Sequence, residues 1–309
     1  MNDFAVDVKS LVKEFGKTRV VDDVALQIPK GQVWGFLGPN GSGKTTTIRM
    51  LCGLLTPTQG SGTCLGLDII TEAEKIKLQT GYMTQKFSFW EDLSIRENLD
   101  FVSRMYNLPN RKAKVDDVIA RLDLTQRQHQ LAGDLSGGWK QRLALAAVTM
   151  HNPKLLLLDE PTAGVDPKAR REFWDQIHEL TNQGITILVS THYMDEAERC
   201  DQIAYLAHGK LITQGTVRDV IAASNLTTYV SINKGVRQFA SALKAEDDIE
   251  NVSYFGAALH ISSTNTVAIE NVIKRAPFDS LDWQKITPSL EDVFISLMTS
   301  VGNDKRDYQ

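Results

Sequence analysis

The chain has 309 residues, 42% of them hydrophobic and 23% charged, which places it among globular proteins with room for one large or two modest domains. Its formal net charge of −4 gives no support to general nucleic-acid binding, where phosphate affinity needs concentrated Lys and Arg. Cys52, Cys64 and Cys200 are scattered without metal-ligand spacing and are expected to be reduced and buried, in keeping with a cytoplasmic setting. The N-terminus has neither a basic region nor an apolar core, so no signal peptide is expected. No apolar run approaches the roughly 18–20 residues of a spanning helix. Any membrane role is therefore expected to be exerted through a partner.

Residues 4–33 alternate apolar and polar positions, which predicts an antiparallel hairpin of Ala5 to Leu11 with Arg19 to Ile28. An aromatic ring between these strands would stack on a nucleotide base. Phe15 fits by position, Phe4 competes, and a Phe that only packs the hairpin fits equally well. Gln32 to Leu37 then reads as a buried strand and Thr46 to Leu51 as a helix. Between them Gly38-Pro39-Asn40-Gly41-Ser42-Gly43-Lys44-Thr45 fits G-x-x-x-x-G-K-[ST], the loop that cradles nucleotide phosphates. Glycines let successive N–H groups converge, and the helix start adds positive potential. Lys44 is expected to reach the β- and γ-phosphates, and the Thr45 hydroxyl to ligate Mg²⁺.

Residues 63–85 read as a return to the sheet, ending at Gln85. The loop beyond, with Phe87, Phe89 and Trp90, is read either as core anchors or as a partner surface. Residues 94–131 show apolar positions near a 3.6 period, divided by Pro109, and predict a helical insertion. At its end Ser136-Gly137-Gly138 precedes a helix from Leu143 to Met150, a second anion-binding arrangement, although Ser-Gly-Gly alone is also a good N-cap. Leu155 to Leu158 read as a strand buried on both faces, ending in Asp159 and Glu160 where α/β sheets place ligands. Asp159 is expected to hold Mg²⁺ and Glu160 to polarise an attacking water. A tight loop through Asp166, a helix over 168–183 and a strand over 185–190 lead to His192, which is either a satisfied core residue or a γ-phosphate contact. Two short strands follow, over 202–207 and 210–214.

Together these residues carry a family. Residues 4–222 resemble the nucleotide-binding subunit of an ATP-binding cassette (ABC) transporter. Gly38–Thr45 resembles its Walker A, Gln85 its Q-loop and Leu135-Ser136-Gly137-Gly138-Trp139 its signature motif. Leu155–Asp159 resembles Walker B with Glu160 as catalytic glutamate, Ala163-Gly164-Val165-Asp166 the D-loop, and His192 the switch histidine. Phe15 matches the adenine-stacking aromatic. The main departure is Trp139, where the family usually has Gln; altered packing of the motif, not lost activity, is expected. The resemblance implies an α/β P-loop fold with an antiparallel β subdomain and a helical subdomain at about residues 87–150. It implies ATP and Mg²⁺ as ligands. Gly38 through Thr46 (Pro39, Asn40, Gly41, Ser42, Gly43, Lys44 and Thr45 included), Gln85, Ser136, Gly137, Gly138, Asp159 and Asp166 would contact the nucleotide. Thr45, Gln85 and Asp159 would contact the metal, and Glu160, His192 and Lys44 would be catalytic. It further implies a dimer, with the Walker A of one copy and the signature motif of a second copy or related ATPase sandwiching ATP, and integral-membrane permease subunits as partners on the cytoplasmic face of the inner membrane.

Several stretches, Gly81 to Ser88, Asp166 to Trp174, Thr191 to Glu198 and Pro288 to Phe294, are similar to the exporter branch of daunorubicin-resistance or multidrug type. Residues 223–309 change character: strands over 227–232, 252–254, 258–262 and 282–286 alternate with helices over 237–244, 267–274 and 290–298. That order predicts a small ferredoxin-like α+β module, with a regulatory or dimer-supporting role or that of a ligand sensor, and a polar end from Gly302. The main alternative to a transport ATPase is an ABC-type ATPase acting on DNA or ribosomes. Paired cassettes, long coiled coils or basic patches would mark it; one cassette, no sustained heptad pattern and a slightly acidic balance favour transport. A nucleotide switch without turnover is disfavoured by Asp159, Glu160 and His192.

Overall fold

The computed structural model describes residues 3–233 and 235–303, with side chains through residue 298. It divides into two compact units, Met1–Gln214 and Gly215–Gln309. The helix Val217–Ala223 opens the second unit.

In the first unit the hairpin forms from β1 (Phe4–Phe15) and β2 (Thr18–Pro29), paired from Phe4 opposite Pro29 to Phe15 opposite Thr18. Its inward positions, Val6, Val8, Leu11, Val24, Leu26 and Ile28, are fully shielded. β3 (Val33–Leu37) is buried at every position and runs into the helix Lys44–Leu51. β4 (Gln59–Cys64) and β5 (Leu67–Asp68) then extend the hairpin sheet to the order β2-β1-β4-β5. β6 (Thr80–Met83), β7 (Leu155–Asp159), β8 (Thr186–Thr191), β9 (Gln202–Ala207) and β10 (Lys210–Gly215) join β3 in a second sheet. Its order is β10-β9-β3-β8-β7-β6, with parallel pairing from β9 through β6. The leucine run of β7 and the Ile187–Val189 stretch of β8 are covered on both faces, as parallel strands require.

Between β6 and β7 the helices Ile95–Met105, Arg111–Arg121 and Gly137–Thr149 close around Ile95, Leu99, Val102, Val115, Val118, Ile119 and Leu143. Ser94 and Glu97 form a reciprocal cap at the first of them. Two sequence expectations need correcting, and one open alternative is decided. The segment 63–85 contains a helix, Ala73–Gln79, too short to show a period. Residues beyond Arg121 leave the helical pattern, with only a 3₁₀ turn at Thr125–Arg127 before Leu131. Phe87 and Phe89 turn inward and pack against the core clusters, leaving Trp90 as the exposed aromatic of that loop.

In the second unit β11 (Thr227–Ser231), β12 (Asn251–Phe255), β13 (Ala258–Ser263) and β14 (Gln284–Ile286) form an antiparallel sheet of order β12-β13-β11-β14. Helices Ala240–Lys244 and Thr266–Ile273 separate the strands in a βαββαβ order, the ferredoxin-like arrangement. The last helix runs Leu290–Asn303, past the residue Gly302 where the sequence suggested a polar end; residues 304–309 lie outside the described residues.

Candidate functional site

The turn from β3 into its helix is built from backbone that side chains would block. Gly38 has φ +147°, and a Cβ there would lie 2.0 Å from the Leu206 carbonyl oxygen; at Gly43, φ +102°, it would lie 2.7 Å from the Val20 carbonyl oxygen. Gly43 also caps the helix without a side chain, so the first N–H groups of Lys44–Leu51 stay open to an anion. The Lys44 side chain is buried back into this loop. Its Nζ donates to the carbonyls of Gly38 (2.8 Å) and Pro39 (3.1 Å) and stands 3.6 Å from Glu160 Oε1. Burial pushes the Lys44 pKa down, against the pull of Glu160 and Asp159.

The parallel sheet delivers the acids. β7 runs parallel to β8, whose other neighbour is β3, so Asp159, 2% exposed, accepts from Thr45 Oγ1 (3.0 Å) and Ser190 Oγ (2.7 Å) through its Oδ1. Glu160 takes a left-handed backbone, φ +46°, and its N–H donates to the Ser190 carbonyl and hydroxyl at 3.1 and 2.9 Å. This turns its carboxylate the other way. Glu160 Oε2 accepts from Gln85 Nε2 at 3.0 Å, and His192 Nδ1 stands 3.4 Å from the same oxygen without a hydrogen bond.

A cavity of about 310 Å³ opens over these groups, lined by Val20, Asn40, Gly41, Gly43, Lys44, Thr45, Thr46, Gln85 and Glu160. Gly38, Pro39 and Asp159 lie behind its lining as partners of Lys44 and Thr45, and buried Ser42 braces the loop through its N–H to the Pro39 carbonyl. A separate cavity of about 350 Å³ is lined by Ser136, Gly138, Trp139, Arg142, Asp166, Lys168, Ala169 and Glu172. Ser136 stands at the N-cap of Gly137–Thr149 with its hydroxyl unused for capping, and Gly137 beside it is exposed. Asp166 caps the next helix, accepting from the N–H groups of Lys168 and Ala169. Trp139 leans on the helical core with the Arg142 guanidinium 5.0 Å over its ring. Phe15 lines neither cavity; it is half exposed at the end of β1, with Lys13 Nζ 5.3 Å from its ring centre.

Sequence reasoning missed Ser190, the hydroxyl that braces both acids. The available signal was a small polar residue ending the apolar run of β8.

A family model described as ABC transporter matches residues 21–163. Over 221 residues, 71% of this chain, the chain is 44% identical to the "Probable multidrug ABC transporter ATP-binding protein YbhF" of Escherichia coli, of which it spans only 38%. It is 38% identical over 316 residues to the daunorubicin/doxorubicin resistance ATP-binding protein DrrA of Streptomyces peucetius, covering 97% of this chain and 94% of that one. Among solved structures it is similar to the ATP-binding cassette MJ0796, a dimeric post-hydrolysis state bound to ADP and Pi, with TM-score 0.63 and 25% identity over 68% of this chain and 98% of that one. The nucleotide loop, the acids at the end of β7 and the full-length likeness to a resistance ATP-binding protein agree: the chain belongs to the ABC transporter family, among its ATP-binding proteins.

Proposed function

We propose that this chain is the ATP-hydrolysing subunit of a membrane exporter for drugs or other hydrophobic or amphipathic cargo, working as a dimer on the cytoplasmic face of the membrane. The observation that carries it is the Glu160 carboxylate, held among Lys44, Gln85 and His192 at the mouth of the glycine loop. Glu160 is the general base for the attacking water, within reach of the cavity floor. Lys44 exchanges its carbonyl partners for the β- and γ-phosphates, whose charge favours the ammonium that burial disfavours. His192 and Gln85 fix the γ-phosphate end, and the half-exposed Phe15 ring stacks on adenine.

Thr45 and Asp159 supply hard oxygen donors already in mutual contact, a set suited to Mg²⁺ shared with substrate phosphates, and Gln85, which lines the same cavity, would complete it by turning its amide from Glu160 to present the oxygen. When bound, the ion neutralises developing phosphate charge. Ser136, Gly137 and Gly138, with Asp166, form the complementary face that a second copy presents to the γ-phosphate. Their own cavity shares no residue with that of Lys44, which fits the reading that each copy supplies one half of two composite sites. The permease is proposed to dock in the apolar groove of about 390 Å³ lined by Leu54, Leu78, Tyr82, Met105 and Tyr106, instead of on the inward-turned Phe87 and Phe89.

Tagged Glu160→Gln protein, purified with ATP from detergent-solubilised membranes, tests this reading. It should bind ATP, run as a stable dimer, hydrolyse barely at all and bring down a polytopic membrane protein that a further Leu78→Glu change releases. Normal hydrolysis, or recovery with ribosomes or nucleic acid, would sink it.

A further inference from the structure

The turns that carry Glu160 and His192 are both tied to one buried carboxylate that the proposed mechanism leaves unused. Glu196, in the short helix Met194–Ala197, is fully shielded from solvent. Its Oε1 accepts from the hydroxyl of Thr162, in the turn after Glu160, and its Oε2 from Thr191 Oγ1, just before His192, at 2.6 Å. Thr191 Oγ1 in turn accepts from the Tyr193 N–H at 3.0 Å. On the third side Arg170, from the helix that follows Asp166, places Nε 3.6 Å from Glu196 Oε1 and its guanidinium 4.2 Å over the Tyr193 ring.

We infer that Glu196 is a positioning residue that keeps Glu160 and His192 in fixed mutual geometry by anchoring Thr162 and Thr191 on a single carboxylate. Burying a carboxylate is costly unless its oxygens are hydrogen-bonded and its charge is opposed; here both conditions are met, by two hydroxyls and Arg170. Both threonine hydroxyls donate to Glu196, which leaves the Thr191 lone pairs to the backbone N–H of Tyr193. A shift in either turn is thereby transmitted to the other, and the helix beginning after Asp166 is held in the same network. The inference rests on the proposed hydrolysis, since positioning has meaning only for a base and a phosphate contact that act together.

Steady-state hydrolysis by the full chain, with nucleotide affinity and melting temperature measured alongside, tests it. Glu196→Gln, Thr162→Val and Thr191→Val should each lower kcat by roughly ten- to a hundredfold, the scale of small misplacements around a reacting centre, while KM and ATP affinity hold. Thr162→Ser and Thr191→Ser keep the hydroxyl and should keep wild-type kcat. Combining Glu196→Gln with Thr162→Val should cost little beyond the worse single change, because both break one network. Should Glu196→Gln fail to fold, the Val and Ser pairs carry the same comparison. Wild-type kcat in the Val variants, kcat losses that multiply, or equal losses in the Ser variants would overturn the inference alone. Absence of hydrolysis in the wild-type chain, under conditions where it binds ATP, would overturn the proposed function and the positioning role with it.

Discussion

A left-handed backbone at Glu160 is uncomfortable for any residue with a Cβ, and it persists because its surroundings over-determine it. The Ser190 hydroxyl and carbonyl grip its N–H, sending the side chains of Asp159 and Glu160 to opposite tasks, one towards Thr45 and one towards Lys44. Away from the site, His151 is the residue with the clearest pH consequence. Its ring stacks on Tyr106 at 3.9 Å, Nε2 meets the Thr80 carbonyl at 3.1 Å, and burial pushes its pKa below the ordinary 6.5 despite that carbonyl's upward pull. The unfolded chain therefore takes up a proton near 6.5 while the folded chain still resists. The contribution is complete above that value and is lost as pH falls from it towards the lowered folded pKa. Melting temperature should drop on going from about pH 7.5 to 5.5, and drop less in His151→Phe, which keeps the stack but not the proton site. An equal drop in both proteins would assign the effect elsewhere.

The elements differ in how plainly local chemistry announces them. The loop Gly38–Thr45 declares itself because its function needs glycine, lysine and threonine in contiguous order, and the β7 leucines do so because burial on both faces needs an unbroken apolar run. The helix Gly137–Thr149 does not: it opens on two glycines, poor helix formers, and local pattern places its start at Leu143. Tertiary approach explains the glycines. A Cβ on Gly138 would lie 2.7 Å from Ala169 Cβ of the helix Pro167–Asn182, and Arg142 pairs with Glu172 across the same contact. Gly138→Ala should therefore destabilise the fold by about 1–3 kcal/mol through overpacking, seen as a lower urea midpoint at unchanged slope. ATP affinity of the single chain, whose own glycine loop lines a separate cavity, should hold. Ser190 and Glu196 were illegible for another reason: a polar residue in or beside an apolar strand reveals its partners only after β7 and β8 are paired. Phe87 and Phe89 were ambiguous in sequence because aromatic density marks cores and contact surfaces alike.

At the scale of the molecule, parallel pairing brings the C-terminal ends of β3, β7 and β8 together, gathering Gly38, Asp159 with Glu160, and His192 from distant parts of the chain. The βαββαβ order of the second unit was readable from strand and helix alternation, whereas its strand order β12-β13-β11-β14 follows only from pairing. The proposed sharing of the first unit's two cavities between copies has a kinetic consequence. An enzyme complete in one chain turns over at a rate proportional to its concentration. A protein whose every working centre borrows half its groups from a neighbour is second order in itself when dilute. Without its permease, specific activity should rise with protein concentration and level off once pairing saturates. Adding an excess of Ser136→Glu chains, whose own glycine loop is intact, should poison wild-type turnover by forming mixed pairs. Specific activity that stays flat over all dilutions would mean that one chain suffices.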